Sequence, residues 1–372
     1  MPGVFIIAGE HSGDFYGGRL AEELKRARPD LQIGGAGGEF MEKAGVEIHA
    51  DLTKHAVIGA TEAIGHLREL QRVFKLLVRK IEEMDPDVVV PIDYIEFNMR
   101  LAKMVRPLKI PVCYYVSPQI WAWRPWRIKT IARRVDRMLV LFDFEEEVYR
   151  KNGVDVAFVG HPLCDTLAPD GDFRIPRERG PNGECRIGLL PGSRIGEVKR
   201  LFPVMLSAAE QIARNVEGTE FTLGCTQGLP QGLVEEFQEK SPVPFEVVRG
   251  RAQEVMRQSE LLLVTSGTAC LEAGILQTPM AVLYKLGLGS LALFAMLKCI
   301  DTYAMPNILC KRQVVPEMMQ WHCTPEKVAS TALDLIQNKK LATMTEELAE
   351  VREHLGGSGA SERAAREVLK FL

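Results

Sequence analysis

The feature that most limits what this chain can become is a series of short, continuous apolar runs separated by helical stretches, and the series occurs twice. In the first half the runs are VFIIA (4–8), DVVVPID (87–93), VCYYV (112–116), RMLVLF (137–142) and VAFVG (156–160). A strand with one wet face alternates apolar and polar residues. Runs that are apolar throughout belong to strands buried on both faces, as in a parallel sheet covered by helices. The first covering helix is expected over about residues 14–27. The second series is CRIGLL (185–190), a helix after Glu197, EFTLGC (220–225), FEVV (245–248), ELLLVTS (260–266), a helix through Leu276, and PMAVLY (279–284). The pattern predicts an α/β protein with two Rossmann-like domains and the ligand in the cleft between them.

The length of 372 residues suits two domains of ordinary size. Between the two series lies APDGDFRIPRERGPNGE, rich in Pro, Gly and charge and without periodicity, which reads as a linker. The expected division is an N-terminal domain at 1–167, the linker at 168–184 and a C-terminal domain at 185–340. Helices at 341–372 are expected to pack back on the N-terminal domain or on a partner subunit. Ser361 is a candidate cap for the last helix, where Ala364, Ala365, Val368, Leu369 and Leu372 share one face.

A formal net charge of −3 excludes binding nucleic acid over the whole surface, so any basic site is local. The 8 cysteines contain no CxxC pair, and His322-Cys323 alone cannot build a zinc site. Reduced core thiols, and hence a cytoplasmic location, are the expectation. The chain opens directly into a strand, so no export signal is expected. In the most apolar window, 280–300, the uncharged run 286–297 is shorter than the ~20 residues of a membrane span and reads as a buried or interfacial helix.

Four βα turns and one basic segment carry the candidate chemistry. LLPGSRIGE (189–197) and VTSGTACLEAG (264–274) each set small residues between an apolar strand and a helix, where free backbone N–H groups can cradle phosphate. Arg194 adds a planar, permanent charge suited to phosphate oxygens. Ser266, Gly267 and Thr268 add N–H groups and hydroxyls, and Glu272 follows one turn later, able to accept from ribose. Two such loops favour a diphosphate over two plain capped helices. IIAGEHSGDFYGGRL (6–20) is a looser turn that includes Ser12 and Gly13, with Asp14 able to cap its helix. Its spacing is not GxGxxG, so an empty turn is equally open. Asp93 ends an apolar strand, where open α/β sheets place reactive groups. It is a candidate general base, with Glu96 second and a structural cap as the alternative.

SPQIWAWRPWRIKTIARR (117–134) packs three of the four tryptophans among Arg124, Arg127, Lys129, Arg133 and Arg134. Aromatics mixed with cations suit base stacking, phosphate beside an apolar chain, a membrane surface, or a solvated basic helix. Residues 60–81 set apolar side chains at 63, 67, 70, 74, 77 and 81 with a basic flank. That describes a core-facing surface helix or one lying on anionic lipid.

In order, GEHSGDFYGGRL, YYVSPQIWAWRPWRIKTI, FVGHPLCD, LLPGSRIGEV, TSGTACLEAG with TPMAVLYK, and MPNILCKRQVVPEMMQ closely resemble the lipid-A-disaccharide synthases, glycosyltransferase family 19. The resemblance runs collinearly from about residue 4 to 320. It implies a GT-B architecture, two Rossmann-like domains with parallel sheets facing across a cleft. It also implies transfer of 2,3-diacylglucosamine from UDP to 2,3-diacylglucosamine 1-phosphate. By the same resemblance Asp93 is the general base for the acceptor 6-hydroxyl and Arg194 contacts the diphosphate. Ser266, Gly267, Thr268, Glu272 and Asn307 lie around UDP.

The chain departs from the family pattern at Asp93-Tyr94-Ile95-Glu96-Phe97-Asn98, where the second acid is lengthened, and at Asp143-Phe144-Glu145, where an acid replaces proline. No metal-binding DxD element stands beside the phosphate loops, so an inverting displacement without a metal or other cofactor is expected. Peripheral contact with the inner membrane and a homodimer are the partner expectations. Another UDP-sugar enzyme of the 2-epimerase kind, a non-catalytic UDP-sugar-binding protein and a lipid-binding module remain open beside it.

Overall fold

The computed structural model describes residues 2–53, 63–122, 124–167, 185–287 and 302–372, and the backbone alone for residues 63–68. It contains two compact units, residues 1–166 with 355–372, and residues 167–354. The block 341–372 thus divides. Lys340–His354 is a helix of the second unit, and Leu355 onward belongs to the first. The expected linker 168–184 and apolar run 286–297 lie outside the described residues, apart from Leu286 and Gly287.

In the first unit seven strands, β1 (Gly3–Ala8), β2 (Gln32–Ala36), β3 (Glu47–Ala50), β4 (Val88–Ile92), β5 (Cys113–Tyr115), β6 (Arg137–Val140) and β7 (Val156–Phe158), form one sheet. Their order is β3-β2-β1-β4-β5-β6-β7, and every pairing is parallel. β1 and β4 are buried along their whole length, as runs of unbroken apolar residues require. On one face Phe5, Ile7, Val89, Tyr114 and Met138 meet Leu77 and Ile81 of the helix Ala63–Met84 and Leu101 and Val105 of the helix Ile95–Val105. Each such side chain contributes roughly 1.5–3 kcal/mol by leaving water.

β2 is glycine-rich for a steric reason. A Cβ at Gly35 would stand 2.1 Å from the carbonyl oxygen of Ile6 on the neighbouring strand. β3, at the edge, is only half-buried, so its sequence EIHA carries no apolar run, and the periodicity does not reveal it.

The second unit repeats the plan with six parallel strands: β8 (Cys185–Leu190), β9 (Thr219–Cys225), β10 (Glu246–Arg249), β11 (Leu261–Thr265), β12 (Met280–Tyr284) and β13 (Glu317–Met319). Their order is β10-β9-β8-β11-β12-β13. The strand order of each sheet reverses at one place, between β1 and β4 in the first unit and between β8 and β11 in the second. The carboxyl ends of the strands at such a reversal are where folds of this kind bind ligands.

Two helix ends differ from expectation. The first helix starts at His11, three residues earlier than predicted, and Asp14 does not cap it. The Asp14 carboxylate is buried and accepts from the N–H groups of Gly38 (2.7 Å), Phe40 (3.0 Å) and Met41 (3.1 Å), capping the helix Glu39–Lys43 instead. Likewise the last helix, Ala360–Val368, is capped by distant Asp165. That side chain accepts from the N–H groups of Gly359 (2.6 Å), Ala360 (3.0 Å) and Ser361 (3.0 Å) and from the Ser361 hydroxyl (2.8 Å). A carboxylate brought in from elsewhere supplies charge to several N–H groups at once, which a local hydroxyl cannot.

The seven described cysteines are all free and buried. Among the described residues no helix is long and apolar enough to cross a membrane, and no group of three or more His, Cys, Asp and Glu side chains is placed to hold a metal ion.

Candidate functional site

The first unit's reversal point is built around Asp93. β1 and β4 run in register to Ala8 and Ile92, so Gly9 and Asp93 leave adjacent strands side by side. The chain then takes two consecutive left-handed residues, Asp93 (φ 44°) and Tyr94 (φ 42°), before the helix Ile95–Val105 begins. For non-glycine residues each of these conformations costs on the order of 1–3 kcal/mol and persists only where surrounding bonds impose it.

Those bonds are present. The Asp93 carbonyl accepts from Asn98 Nδ2 (2.7 Å) and from the Tyr114 hydroxyl, and Asn98 Nδ2 also reaches the Ile92 carbonyl (3.1 Å). The Asp93 N–H donates to the Tyr115 carbonyl (3.0 Å). Asn98 and Tyr114 are both fully buried, so the clamp lies beneath the turn. Above it the Tyr94 ring lies against Gly9, where an added Cβ would sit 2.1 Å from Tyr94 Cδ1. Gly9 therefore makes room for the ring that follows the acid.

Burial, and next the nearby Glu10 carboxylate, push the Asp93 carboxyl up to about 6, while a hydrogen bond from the Tyr94 backbone acts the other way. An acid in this range is ionised at neutral pH and still basic enough to take a proton from a hydroxyl. Ser12 is exposed in the first turn of the helix His11–Ala27, and Gly13 is buried against Ala8 with an ordinary spacing for a Cβ.

Glu96 serves another purpose. It pairs with Arg124 (3.3 Å) and Arg127, tying the segment 117–134 to the helix after Asp93. That segment is not a basic helix. Its described residues form irregular turns, a 3-10 turn at Pro125–Arg127 and a short helix Ile128–Ile131. Its anchor is Glu145, which sequence reasoning noted only as part of a departure. Glu145 is buried and accepts from the Ser117 hydroxyl (2.6 Å) and Trp121 Nε1 (3.0 Å). Burial pushes its carboxyl up to about 7, against those hydrogen bonds. Trp126 is largely exposed.

The second unit's reversal point joins the two glycine-rich loops. β8 and β11 run in register to Leu190 and Val264, so the loops after them emerge together. A Cβ added at Gly192 (φ 110°) would stand 3.2 Å from Thr265 Cγ2 and 2.8 Å from Glu197 Oε2, which measures how closely the loops approach. Arg194 is the N-cap residue of the helix Ile195–Ala213, with no side-chain cap. Its side chain is 84% exposed and rests on Glu197 at 3.1 Å. Gly267 (φ 150°) precedes the helix Thr268–Ile275, again with no side-chain cap, and open space surrounds the position its Cβ would take. Two helix N-termini whose first turns have no side-chain cap among the described residues, and one exposed guanidinium, thus share a loop cluster. That is the local chemistry of an anion site.

The other predicted residues divide. The Ser266 hydroxyl donates to the Tyr303 carbonyl (2.9 Å), and Glu272 is half-buried with its carboxyl raised by burial, against a hydrogen bond from Gln253. The side chain of Asn307, expected beside UDP, is engaged within the fold. Its Nδ2 donates to the Val315 carbonyl (2.8 Å) and Glu317 Oε1 (2.6 Å), and its Oδ1 accepts from the N–H groups of Val314 (2.7 Å) and Val315 (2.8 Å). Glu317 Oε2 in turn accepts from the Tyr303 N–H (2.9 Å), so Asn307 and Glu317 fix the segment on which Ser266 rests. Sequence reasoning missed Glu317 and Tyr303 because their connection to Ser266 spans distant parts of the chain.

A family model described as lipid-A-disaccharide synthetase matches residues 4–371. Among curated proteins, the lipid-A-disaccharide synthase of Syntrophus aciditrophicus is 39% identical, covering 99% of this chain and 97% of that protein. The Myxococcus xanthus protein of the same name is 37% identical, covering 100% and 98%. Among solved structures, the UDP-GlcNAc 2-epimerase of Neisseria meningitidis bound to UDP-GlcNAc has a TM-score of 0.68 at 14% identity and covers both chains completely. The glycosyltransferase of kitacinnamycin reaches 0.65 at 16%, also with complete coverage. These neighbours, at such low identity, establish the GT-B fold class and nothing about reaction.

Proposed function

The chain belongs to the lipid-A-disaccharide synthetase family, and on that premise we propose that it condenses UDP-2,3-diacylglucosamine with 2,3-diacylglucosamine 1-phosphate. The products are lipid A disaccharide 1-phosphate, joined β-1′,6, and UDP. The observation that carries the chemistry is Asp93, a carboxylate raised to about 6 and held by a clamped left-handed turn at the sheet's reversal point.

Asp93 takes the proton of the acceptor 6-hydroxyl as that oxygen attacks the anomeric carbon of the donor. The C–O bond to UDP breaks as the new bond forms, so the configuration inverts in one displacement. Negative charge develops on the departing diphosphate. Arg194 and the uncapped starts of the helices Ile195–Ala213 and Thr268–Ile275 meet that charge, which a preorganised site stabilises far better than water does. No resident metal is assigned to the step. Ser266, Gly267, Thr268 and Glu272 border the UDP moiety, and Asn307 supports them from within. Ser12 and Gly13 contribute the turn beside Asp93.

The deciding experiment is product analysis with both diacylated substrates, with and without EDTA, for the wild type and Asp93→Asn. The proposal requires a disaccharide 1-phosphate from the wild type, unaffected by EDTA, and a collapse of its formation in the variant. A free sugar or 2-epimer in place of the disaccharide would instead favour the epimerase-like alternative.

We further propose that the enzyme works as a peripheral protein on the cytoplasmic face of the inner membrane. The helix Ala63–Met84 buries Leu77 and Ile81, while Leu70 and Phe74 are only partly covered and basic residues flank them. Replacing Ile64, Leu67 and Leu70 by serine is expected to release the protein from liposomes in a flotation assay. Unchanged flotation would remove that helix from the membrane contact.

A further inference from the structure

Two adjoining cavities in the first unit are not accounted for by the general base. One, of about 270 Å³, is mainly apolar, lined by Leu70, Phe74, Tyr94 and Phe97. The other, of about 470 Å³, is lined by Arg100, Lys103, Arg127 and Arg134 with the apolar Ile95, Met99 and Met104. Phe74, Glu96 and Arg100 border both, so the two form one groove that is greasy at one end and cationic at the other. Tyr94, at the apolar end, directly follows Asp93.

The cationic end has more positive charge than its surroundings neutralise. Glu96 is its one acid, and it pairs with Arg127. Arg134 donates to the Met99 carbonyl (2.9 Å). Arg100 and Lys103 take part in no hydrogen bond or ion pair among the described residues. They lie three residues apart on one face of the helix Ile95–Val105, and both are exposed. Arg100 stands ~8 Å into the helix that starts two residues after Asp93. A concave, partly apolar wall strengthens the attraction of such cations for an anion relative to a flat wet surface. A phosphate monoester, with about two negative charges and three acceptor oxygens, matches an Arg and a Lys at this spacing.

We propose that this groove seats the phosphate monoester of the acylated acceptor, with Arg100 and Lys103 binding the phosphate and the apolar end receiving the start of an acyl chain. The inference rests on the activity proposed above and adds the residues that distinguish acceptor from donor. It makes the phosphate a specificity element of the first unit, separate from the diphosphate loops of the second.

The test compares the full-length wild type with Arg100→Gln/Lys103→Gln, using diacylglucosamine 1-phosphate and its phosphate-free counterpart as acceptors. The ratio of kcat/KM for the two acceptors is expected to fall at least ~10-fold in the variant, through KM for the phosphorylated one. Equal losses with both acceptors, or no loss with either, would overturn the proposal. So would a variant whose acceptor preference is intact but whose flotation on phosphatidylglycerol vesicles is lost, since the cations would then serve a bilayer headgroup. A calorimetric titration with short-chain diacylglucosamine 1-phosphate, which needs no turnover, decides the matter even if the wild type forms no disaccharide. Binding at least ~10-fold weaker in the variant supports the groove, and equal binding refutes it.

Discussion

The two reversal points share a topology and differ in how they hold their key side chain. In the first unit Asp93 sits on a left-handed turn whose carbonyl is clamped from below by two fully buried side chains. In the second, Arg194 is exposed at the start of a helix and, among the described residues, rests on one ion pair, to Glu197. The difference fits the roles proposed for the two groups. A general base must meet one proton in a narrow geometry and needs its basicity raised by burial. A cradle for a diphosphate draws on helix N–H groups that the backbone already aims, and its guanidinium can reach the charge from several directions. Of the two key side chains, the one on a left-handed backbone and withdrawn from solvent is therefore Asp93, and the exposed one is Arg194.

The sharpest challenge to this contrast is removal of each group. Asp93→Asn keeps the shape and loses the base, and should lower kcat by ~10³-fold, within the range for general base catalysis, while UDP binding is retained. Arg194→Ala should lower kcat by roughly 10²-fold, the scale of losing one preorganised donor to developing charge. Near-normal turnover in either variant would break the assignment of its unit.

A smaller effect tests the clamp. Tyr114→Phe removes one of the two hydrogen bonds to the Asp93 carbonyl and is expected to reduce kcat by about 10-fold, a cost near that of one lost buried hydrogen bond, with KM for the donor little changed. A change in KM with kcat preserved would show that the clamp positions substrate rather than the base.

The least expensive measurements use pH. With the Asp93 carboxyl at about 6, kcat/KM should rise with pH through that value and level off above it, because only the ionised form accepts a proton. The sign for stability is opposite. The folded state holds this proton more tightly than the unfolded chain does, so between about pH 4 and 6 stability falls as pH rises, and above 6 the penalty of the buried charge is complete. Asp93→Asn should then raise Tm at pH 8 by about 2–4 °C, as expected for roughly 1 kcal/mol in a unit of this size. A flat rate profile, or a Tm that falls, would separate Asp93 from the role of a buried base.

Much of the site was legible because βα turns announce themselves locally. The LPGSR and TSGT loops are continuous in sequence, so their small residues and arginine could be read as a candidate anion site without help from elsewhere. Asp93 was visible as the acid ending an apolar strand. Three features were not visible. Asp14 and Asp165 cap helices far along the chain, so the local helix starts mislead. Asn307 looks like a polar ligand for UDP, yet its four hydrogen bonds are all internal, and only the folded arrangement of Val314, Val315 and Glu317 reveals that. The edge strands β3 (EIHA) and β13 (EMM) carry no continuous apolar run, unlike the edge strands β7 and β10, so periodicity does not reveal them.

The sequence by itself determined the class of the protein: two parallel α/β sheets, two phosphate-type turns, an acid at a strand end, and motifs specific enough to assign the family. These follow from apolar periodicity and turn chemistry, which act over a few residues. The tertiary structure alone decided which loops meet. Strand order brings Gly9 beside Asp93 and the Arg194 loop beside Ser266, and it places Tyr114 and Asn98 under the Asp93 carbonyl. It also gathers Arg100, Lys103, Arg127 and Arg134 around one groove. Proximity between residues distant in sequence is a property of how sheets order their strands, and local pattern does not encode it.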